Sequence, residues 1–406
     1  MMKSSNNQNP MNSAPKLFGV PLPQGRFLSY VFFLCCGVTI GIFSSYYYLK
    51  NGIPSLQFLR SSLTQSPPQA PPDVSLIPPP SVISEYWSNE NVSVTELKHG
   101  PLRPRHQAPM HHMNDKELLR VAAKAVRNGT YLKQHHVPKV AFLFLVRGPV
   151  LLAPLWQKFF EGNEGKYSIY VHSNPSYDSS VPESPVFRGR RIPSKKVEWG
   201  GVNMIEAERR LLANALLDLS NERFALISES CIPLFNFSFT YSYLINSEQN
   251  YVMAYDEDSA VGRGRYRSSM SPTITLKQWR KGSQWFEMGR ELAHQVVTDK
   301  KYFPIFQKHC RGSCYSDEHY LPTYVSIEHW KKNSNRSLTW VDWSKGGPHP
   351  AKFVRPEVTI DFLNSLRDMQ CPYNGNSTNA CYLFARKFLP SALIRLLKVT
   401  HIVFRF

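Results

Sequence analysis

The chain has 406 residues, 48 Lys and Arg against 30 Asp and Glu, a formal charge of +18 and a pI near 9.6. A hydrophobic content of 42% with 13% aromatics excludes a wholly disordered chain. Length alone allows two or three domains, but the 31 prolines are unevenly placed and leave one substantial core.

In chain order, the first feature is Phe27–Leu49, a stretch of 23 residues without a charge. As a helix it would span about 34 Å, enough for a hydrocarbon layer of about 30 Å. Tyr30 and Tyr46–Tyr48 stand near its ends, where amphipathic rings favour the interface. Lys3, Lys16 and Arg26 precede it with no acid among them, which keeps the N-terminus cytosolic. A cleaved signal peptide fits poorly, because the run is long and no small-x-small cleavage site follows. The expectation is a type II membrane protein: a cytosolic tail over 1–26, a transmembrane anchor over 27–49, a stem over 50–115 and a lumenal body over 116–406. The stem carries Pro67-Pro68, Pro71-Pro72, Pro78–Pro80, Pro101 and Pro104, a composition for a semi-rigid extended spacer.

Five glycosylation sequons, at Asn91, Asn128, Asn236, Asn335 and Asn376, all follow the anchor. Of the seven cysteines, Cys35 and Cys36 lie in the anchor; Cys231, Cys310, Cys314, Cys371 and Cys381 lie beyond it, so in an oxidising lumen at least one lacks an intramolecular partner. A Cys371–Cys381 pair would close a loop around Asn376, and Cys310-x-x-x-Cys314 lacks the second ligand pair of a zinc site. The basic charge would ordinarily suggest nucleic acid, but lumenal topology argues against it and favours nucleotide sugars, acidic glycans or membrane surfaces.

In the body, Lys139–Val146 reads as a buried strand and Leu151–Phe160 as a helix with Pro154 in its first turn. Tyr167–His172 is a second strand, and Asn203-x-x-Glu206 resembles a capping box before a helix with one apolar face. Arg223–Ser228 and Tyr251–Tyr255 are the third and fourth strands. Strands alternating with helices predict an α/β fold with a mostly parallel central sheet, whose ligands sit beyond the carboxyl ends of the strands. That places His172–Asn174, Ser228–Ser230 and Asp256–Asp258 by a nucleotide cleft.

No Walker loop, GxGxxG, HExxH or GxSxG is present. Asp256-Glu257-Asp258 reads either as carboxylates for a divalent cation and diphosphate or as an acidic turn. Gly262-Arg-Gly-Arg-Tyr266 puts two guanidinium groups, Arg263 and Arg265, on a flexible turn, suited to phosphate or to plain solvation. In Lys281-Gly-Ser-Gln-Trp-Phe286, Gly282 and Ser283 permit close backbone approach, and the Trp285 indole either stacks on a sugar face or belongs to the core. Ser316-Asp-Glu-His319 gathers Asp317, Glu318 and an imidazole; one carboxylate in a cleft can act as a general base, and a solvated cap is the plainer reading.

Taken in order with Val197-Glu-Trp-Gly-Gly201, Glu206-Ala-Glu208, Ser228-Glu-Ser-Cys-Ile-Pro233, Trp279–Trp285 and Gly346-Gly-Pro-His-Pro350, these motifs span about Lys139 to Lys387. Over that span the chain resembles the core-2/I-branching β-1,6-N-acetylglucosaminyltransferase-like proteins, glycosyltransferase family 14, in their plant, brittle-culm-type branch. The resemblance implies a GT-A-like nucleotide-sugar-binding fold and inverting transfer from a UDP-sugar to a glycan or glycoprotein acceptor in the Golgi. It implies no cofactor and no divalent metal, which turns Asp256–Asp258 towards the acidic-turn reading. It implies Glu318 as general base with Asp317 orienting or capping, and Arg355 and Lys387 on the diphosphate. His349 corresponds to an aromatic acceptor contact of the animal enzymes, and His172-Ser-Asn174 departs from their nucleotide-pocket aspartate. The alternative is a glycan-binding or scaffold protein of the same fold without turnover; the presence of Glu318, Arg355 and Lys387 together favours catalysis.

Overall fold

The apolar runs form the centre of the sheet. This computed structural model describes residues 38–39, 110–125, 137–177 and 184–406. Strands β1 (Lys139–Leu145), β2 (Tyr167–His172) and β3 (Asn221–Ser228) lie parallel in the order β2-β1-β3. The next strand, β4 (Ile232–Pro233), belongs to a second sheet. β5 (Glu287–Gly289) closes the main sheet, antiparallel to β3. β6 (Thr339–Val341), the hairpin β7 (Cys371–Tyr373) and β8 (Asn376–Thr378), and β9 (Phe384–Arg386) follow; β9 lies between β4 and β6 in the second sheet.

Both faces of the main sheet are covered, as parallel strands require. Along β1, Val140, Phe142 and Phe144 face one buried layer, and Ala141 and Leu143 face the other. The helices are α1 (Asp115–Lys124), α2 (Ala153–Phe160), α3 (Val202–Leu216), α4 (Phe237–Ile245) and α5 (Arg290–Thr298), then the shorter α6 (Phe303–His309), α7 (Tyr320–Glu328), α8 (Ile360–Ser365) and α9 (Leu393–Val399). α2, α4 and α9 pack on the Phe142 side, and α1, α3 and α5 on the Leu143 side. The first layer is aromatic: Phe144 meets Trp156 edge-on at 5.2 Å and Phe142 meets Phe160 at 4.9 Å, the T-shaped geometry that ring quadrupoles favour.

Three elements differ from the sequence reading. Tyr251–Tyr255 forms two isolated bridges rather than a strand. Its alternate backbone donors are taken by side chains: Asn333 Oδ1 accepts the Val252 N–H at 3.0 Å and Asn335 Oδ1 accepts that of Ala254 at 2.8 Å. The fourth strand of the main sheet is Glu287–Gly289 instead. The helix after Gly201 opens at Val202, and Asn203 makes no capping box; its Oδ1 accepts the Glu198 N–H at 3.1 Å and folds the preceding loop. Met110–Asp115, which composition assigns to the stem, packs on the body, with the Met110 N–H donating to the Arg191 carbonyl at 2.9 Å.

Cys371 and Cys381 are bridged, as are Cys310 and Cys314, which leaves Cys231 free and buried. Asn376 is exposed on the β7–β8 hairpin, whereas Asn236 caps α4 through the Phe239 N–H and Asn335 is engaged with Ala254. The cytosolic tail, all of the predicted anchor but Val38–Thr39, most of the stem, Asn91 and Asn128 lie outside the described residues. Among the described residues no helix is long and apolar enough to cross a membrane.

Candidate active site

A cleft of about 790 Å³ opens at the carboxyl ends of the parallel strands. Arg147 follows β1 into it, His172 ends β2 with Asn174 beyond, and Ser228 ends β3 with Glu229 and Ser230 beyond. The segment Arg386–Pro390 forms the facing wall, with Gln284 and Trp285 between. Trp199 and His349 stand together at the mouth, ring centroids 5.3 Å apart.

The cleft is strongly basic. Arg147, Lys195, Lys352, Arg386 and Lys387 line it, against the one carboxylate of Glu229. Burial and then the neighbouring charges of Arg386 and Arg147 push the Lys387 ammonium down to about 8. The Arg386 side chain is half-buried and its guanidinium stacks on the Trp285 ring at 3.9 Å. Such crowding of like charges costs free energy in the empty protein and is recovered when an anion enters. Of the predicted diphosphate pair, the fold brings Lys387 to this wall but not Arg355. Arg355 begins an exposed 3-10 turn over Arg355–Glu357 and is not among the cleft-lining residues. Lys352, three residues earlier, is at the wall, held there because the Phe353 N–H donates to the Lys387 carbonyl at 2.8 Å.

Glu318 does not itself line the cleft; a chain of contacts joins it to the mouth. Arg265 Nη1 donates to Glu318 Oε2 at 2.6 Å, and its guanidinium lies over the Tyr315 ring at 4.1 Å. Tyr315 in turn packs edge-on against Trp199 at 4.9 Å. Tyr315 is held in the left-handed region, φ 49°, an uncommon conformation for an aromatic residue. The loop opposite is built to receive it: Gly200 has φ +74°, and a Cβ there would stand 2.8 Å from the Tyr315 ring. Ser316 Oγ donates to the Gly201 carbonyl at 2.8 Å and locks the two loops together.

Behind Glu318 lies a buried acidic pair. Burial first, and the Glu318 charge second, push the Asp317 carboxyl up to about 7. Burial raises Glu208 well above the carboxylate range, and Gln284 Nε2 donates to its Oε1 at 2.9 Å. Gln284 therefore reaches from this pair to the cleft wall. Ser283 is a turn-former, its Oγ accepting the Trp285 N–H at 3.2 Å. His319 is buried against Trp279, rings 4.4 Å apart, and its Nδ1 meets the Arg280 carbonyl at 2.9 Å, a structural role.

Asp256–Asp258 lies outside the cleft lining, and its carboxylates are spent on neighbours. Arg263 takes both oxygens of Asp256, at 2.8 and 2.6 Å, and reaches Asp258 at 3.3 Å. Glu257 pairs with Lys281 at 3.1 Å. Among the described residues no group of three or more His, Cys, Asp or Glu side chains is arranged to hold a metal ion.

Sequence reasoning missed Arg147, Lys352, Arg386 and the Glu208–Gln284 contact. Arg147 carried a readable signal, a basic residue directly after a strand of a parallel sheet. The others depend on contacts between segments far apart in the chain.

The chain matches the Core-2/I-Branching enzyme family over residues 140–367. It is also 35% identical over 309 residues to Glycosyltransferase BC10 of Oryza sativa subsp. japonica, a match covering 64% of this chain and 76% of that one. The family segment contains the three parallel strands, the 197–201 loop and Ser316–His319, and the BC10 match extends over more of the chain. The chain therefore belongs to the Core-2/I-Branching enzyme family, and within it to the plant, brittle-culm-type glycosyltransferases.

Proposed function

We propose that the protein is an inverting, metal-independent glycosyltransferase that moves a sugar, N-acetylglucosamine being the family precedent, from a UDP-sugar to a glycan or glycoprotein hydroxyl. The observation that carries this reading is the convergence of Arg147, Lys352, Arg386 and Lys387 at the carboxyl ends of the strands. Four side-chain cations offset the charge of a diphosphate without an ion, and a UDP-sugar is the diphosphate the family uses.

In this reading Glu318 is the general base. Arg265 holds its Oε2, and Oε1 accepts the proton of the acceptor hydroxyl. The freed oxygen attacks the anomeric carbon from the face opposite the diphosphate. The C–O bond to the β-phosphate breaks, the configuration inverts, and UDP leaves with its new charge held by Lys387, Arg386 and their neighbours. Trp199 and His349 offer ring faces to the acceptor sugar at the mouth. Asp317 and Glu208 support Glu318 and Gln284 from behind. The order of a charged N-terminal tail, an apolar run, a proline-rich stem and a basic body supports a Golgi type II enzyme with its catalytic body lumenal.

Calorimetric titration of UDP into the full-length protein in detergent, with EDTA present, tests the donor site and its independence of metal. Micromolar binding is expected. Binding that appears only on adding manganese would return Asp256–Asp258 to consideration as a metal site. No binding to a folded protein in either condition would favour a glycan-binding scaffold.

A further inference from the structure

Asp115 opens α1, before the segment that matches the family model, and its contacts end in the cleft. Its Oδ1 and Oδ2 accept Arg210 Nε and Nη2, each at 2.8 Å, in a two-point fork. Oδ2 also accepts Lys195 Nζ at 2.6 Å. Arg210 lies on α3 with its side chain 4% exposed, and spends its other terminal nitrogen, Nη1, on His172 Nε2 at 3.0 Å. The Lys195 backbone N–H reaches the same ring nitrogen at 3.3 Å. Arginine and backbone N–H are obligate donors, so Nε2 accepts from both and the ring proton sits on Nδ1. Burial, with Arg210 close by, holds the imidazole down to about 3, so it stays uncharged in this frame.

Both ends of the frame, His172 and Lys195, line the cleft beside Asn174, away from Arg386 and Lys387 in the chain but on the same opening. Asn174 Oδ1 accepts the Ser176 N–H at 3.0 Å, which fixes the turn that follows. His172 and Asn174 bring an imidazole and an amide to the cleft at the end of β2, polar groups suited to a nucleoside, whereas Arg147, Lys352, Arg386 and Lys387 bring charge suited to a diphosphate. Remove the Asp115 carboxylate and Arg210 becomes a buried cation without its anion, free to abandon the ring.

We propose that Asp115 is a positioning residue for the nucleoside half of the donor: through Arg210 and Lys195 it fixes the wall of the cleft formed by His172 and Lys195. This rests on the reading of the cleft as a nucleotide-sugar site.

The test is UDP calorimetry and transfer kinetics on the full-length protein and three variants. Asp115→Asn is expected to weaken UDP about tenfold and raise the donor KM to match, while kcat and the acceptor KM stay within about threefold. Asp115→Glu, which keeps the charge, is expected to recover most of the affinity. Lys195→Ala, at a side chain 62% exposed, is expected to lose about threefold in the same direction. UDP affinities of Asp115→Asn and Lys195→Ala within twofold of wild type would overturn the proposal. So would equal losses in kcat and both KM values, the mark of general damage. Failure of the wild type itself to bind UDP would sink the reading of the cleft and this inference with it; wild-type binding with unaffected variants sinks this inference alone.

Discussion

Glu318 sits 2.6 Å from the Arg265 guanidinium and follows the buried Asp317 in the chain. Glu318→Gln keeps the shape and removes the basic oxygen. It is expected to leave UDP affinity within twofold and to lower the transfer rate by about 10²–10⁴-fold, measured by UDP release in the presence of acceptor. In the proposed reading Lys387→Ala acts on the donor instead. It should weaken UDP by about 1.5–3 kcal/mol, the range for a hydrogen bond to a charged group, while Arg355→Ala, at an exposed turn outside the cleft lining, should change it by less than twofold. Equal effects of the two substitutions would restore Arg355 to the diphosphate site. Placement was legible from the sequence only in part. Lys387, read from a short motif, lines the cleft, whereas Glu318, read the same way, does not. Arg355 was assigned by its distance from another motif; it lies outside the lining, and Lys352, three residues earlier, is in it.

The two loops that carry Trp199 and Tyr315 behave as one element. Gly200→Ala would force a left-handed alanine and drive its methyl into the Tyr315 ring. An expected loss of about 1–3 kcal/mol in stability, read from denaturant midpoints, should come with a larger loss of transfer than of UDP affinity, because the displaced parts are Tyr315, Arg265 and the Glu318 carboxylate that Arg265 holds, the base in the proposed reading. Elements were legible where their backbone bonds stay within the sheet. β1, β2 and β3 came out within two residues of the reading, since each is a continuous apolar run buried on both faces. Tyr251–Tyr255 has the same composition and is no strand, because Asn333 and Asn335, some eighty positions away, satisfy its donors. Nothing local distinguishes the two cases.

The whole molecule carries several buried titrating groups, and they set its response to pH. Burial pushes Glu287 up to about 8 and Asp317 up to about 7, above their ordinary values of 4.5 and 3.8. The folded state therefore holds protons there that the unfolded chain releases, and stability falls as pH rises through this window. His172 and His319 are shifted the other way, to about 3 and about 4, and cost stability as pH falls below 6.5. Glu208, raised well above the carboxylate range by burial, acts in the same direction as Glu287 and Asp317. Between about pH 4.5 and 6.5 these carboxyls and the two imidazoles oppose each other; from 6.5 to 8 the carboxyls pull stability down without that opposition. Thermal unfolding should therefore move down by a few degrees from pH 6.5 to 8, and Glu287→Gln should remove a good part of that slope, at about 1.4 kcal/mol for each pH unit a single group controls. A slope unchanged in Glu287→Gln would show that the carboxyl is ionised in the fold. The bridges add a redox dependence: Cys371 and Cys381 are 10 positions apart, a loop whose closure contributes about 3 kcal/mol in the chain-entropy account, so reductant should lower the melting temperature measurably.

Cys231 is left as the one thiol among the cysteines of the body, fully buried beneath the Ser228–Ser230 turn that forms the floor of the cleft. That makes it a built-in clock for opening. A thiol reagent can reach it only when the floor parts from the aromatic layer, where the Trp156 Nε1–H donates to the Cys231 carbonyl at 3.2 Å. Its labelling rate, followed by peptide mass so that Cys35 and Cys36 are counted apart, reports how often the cleft floor comes undone in the native protein. A donor that seats on this floor should slow the clock in proportion to its occupancy, which turns a silent cysteine into a ligand assay that requires no knowledge of the acceptor.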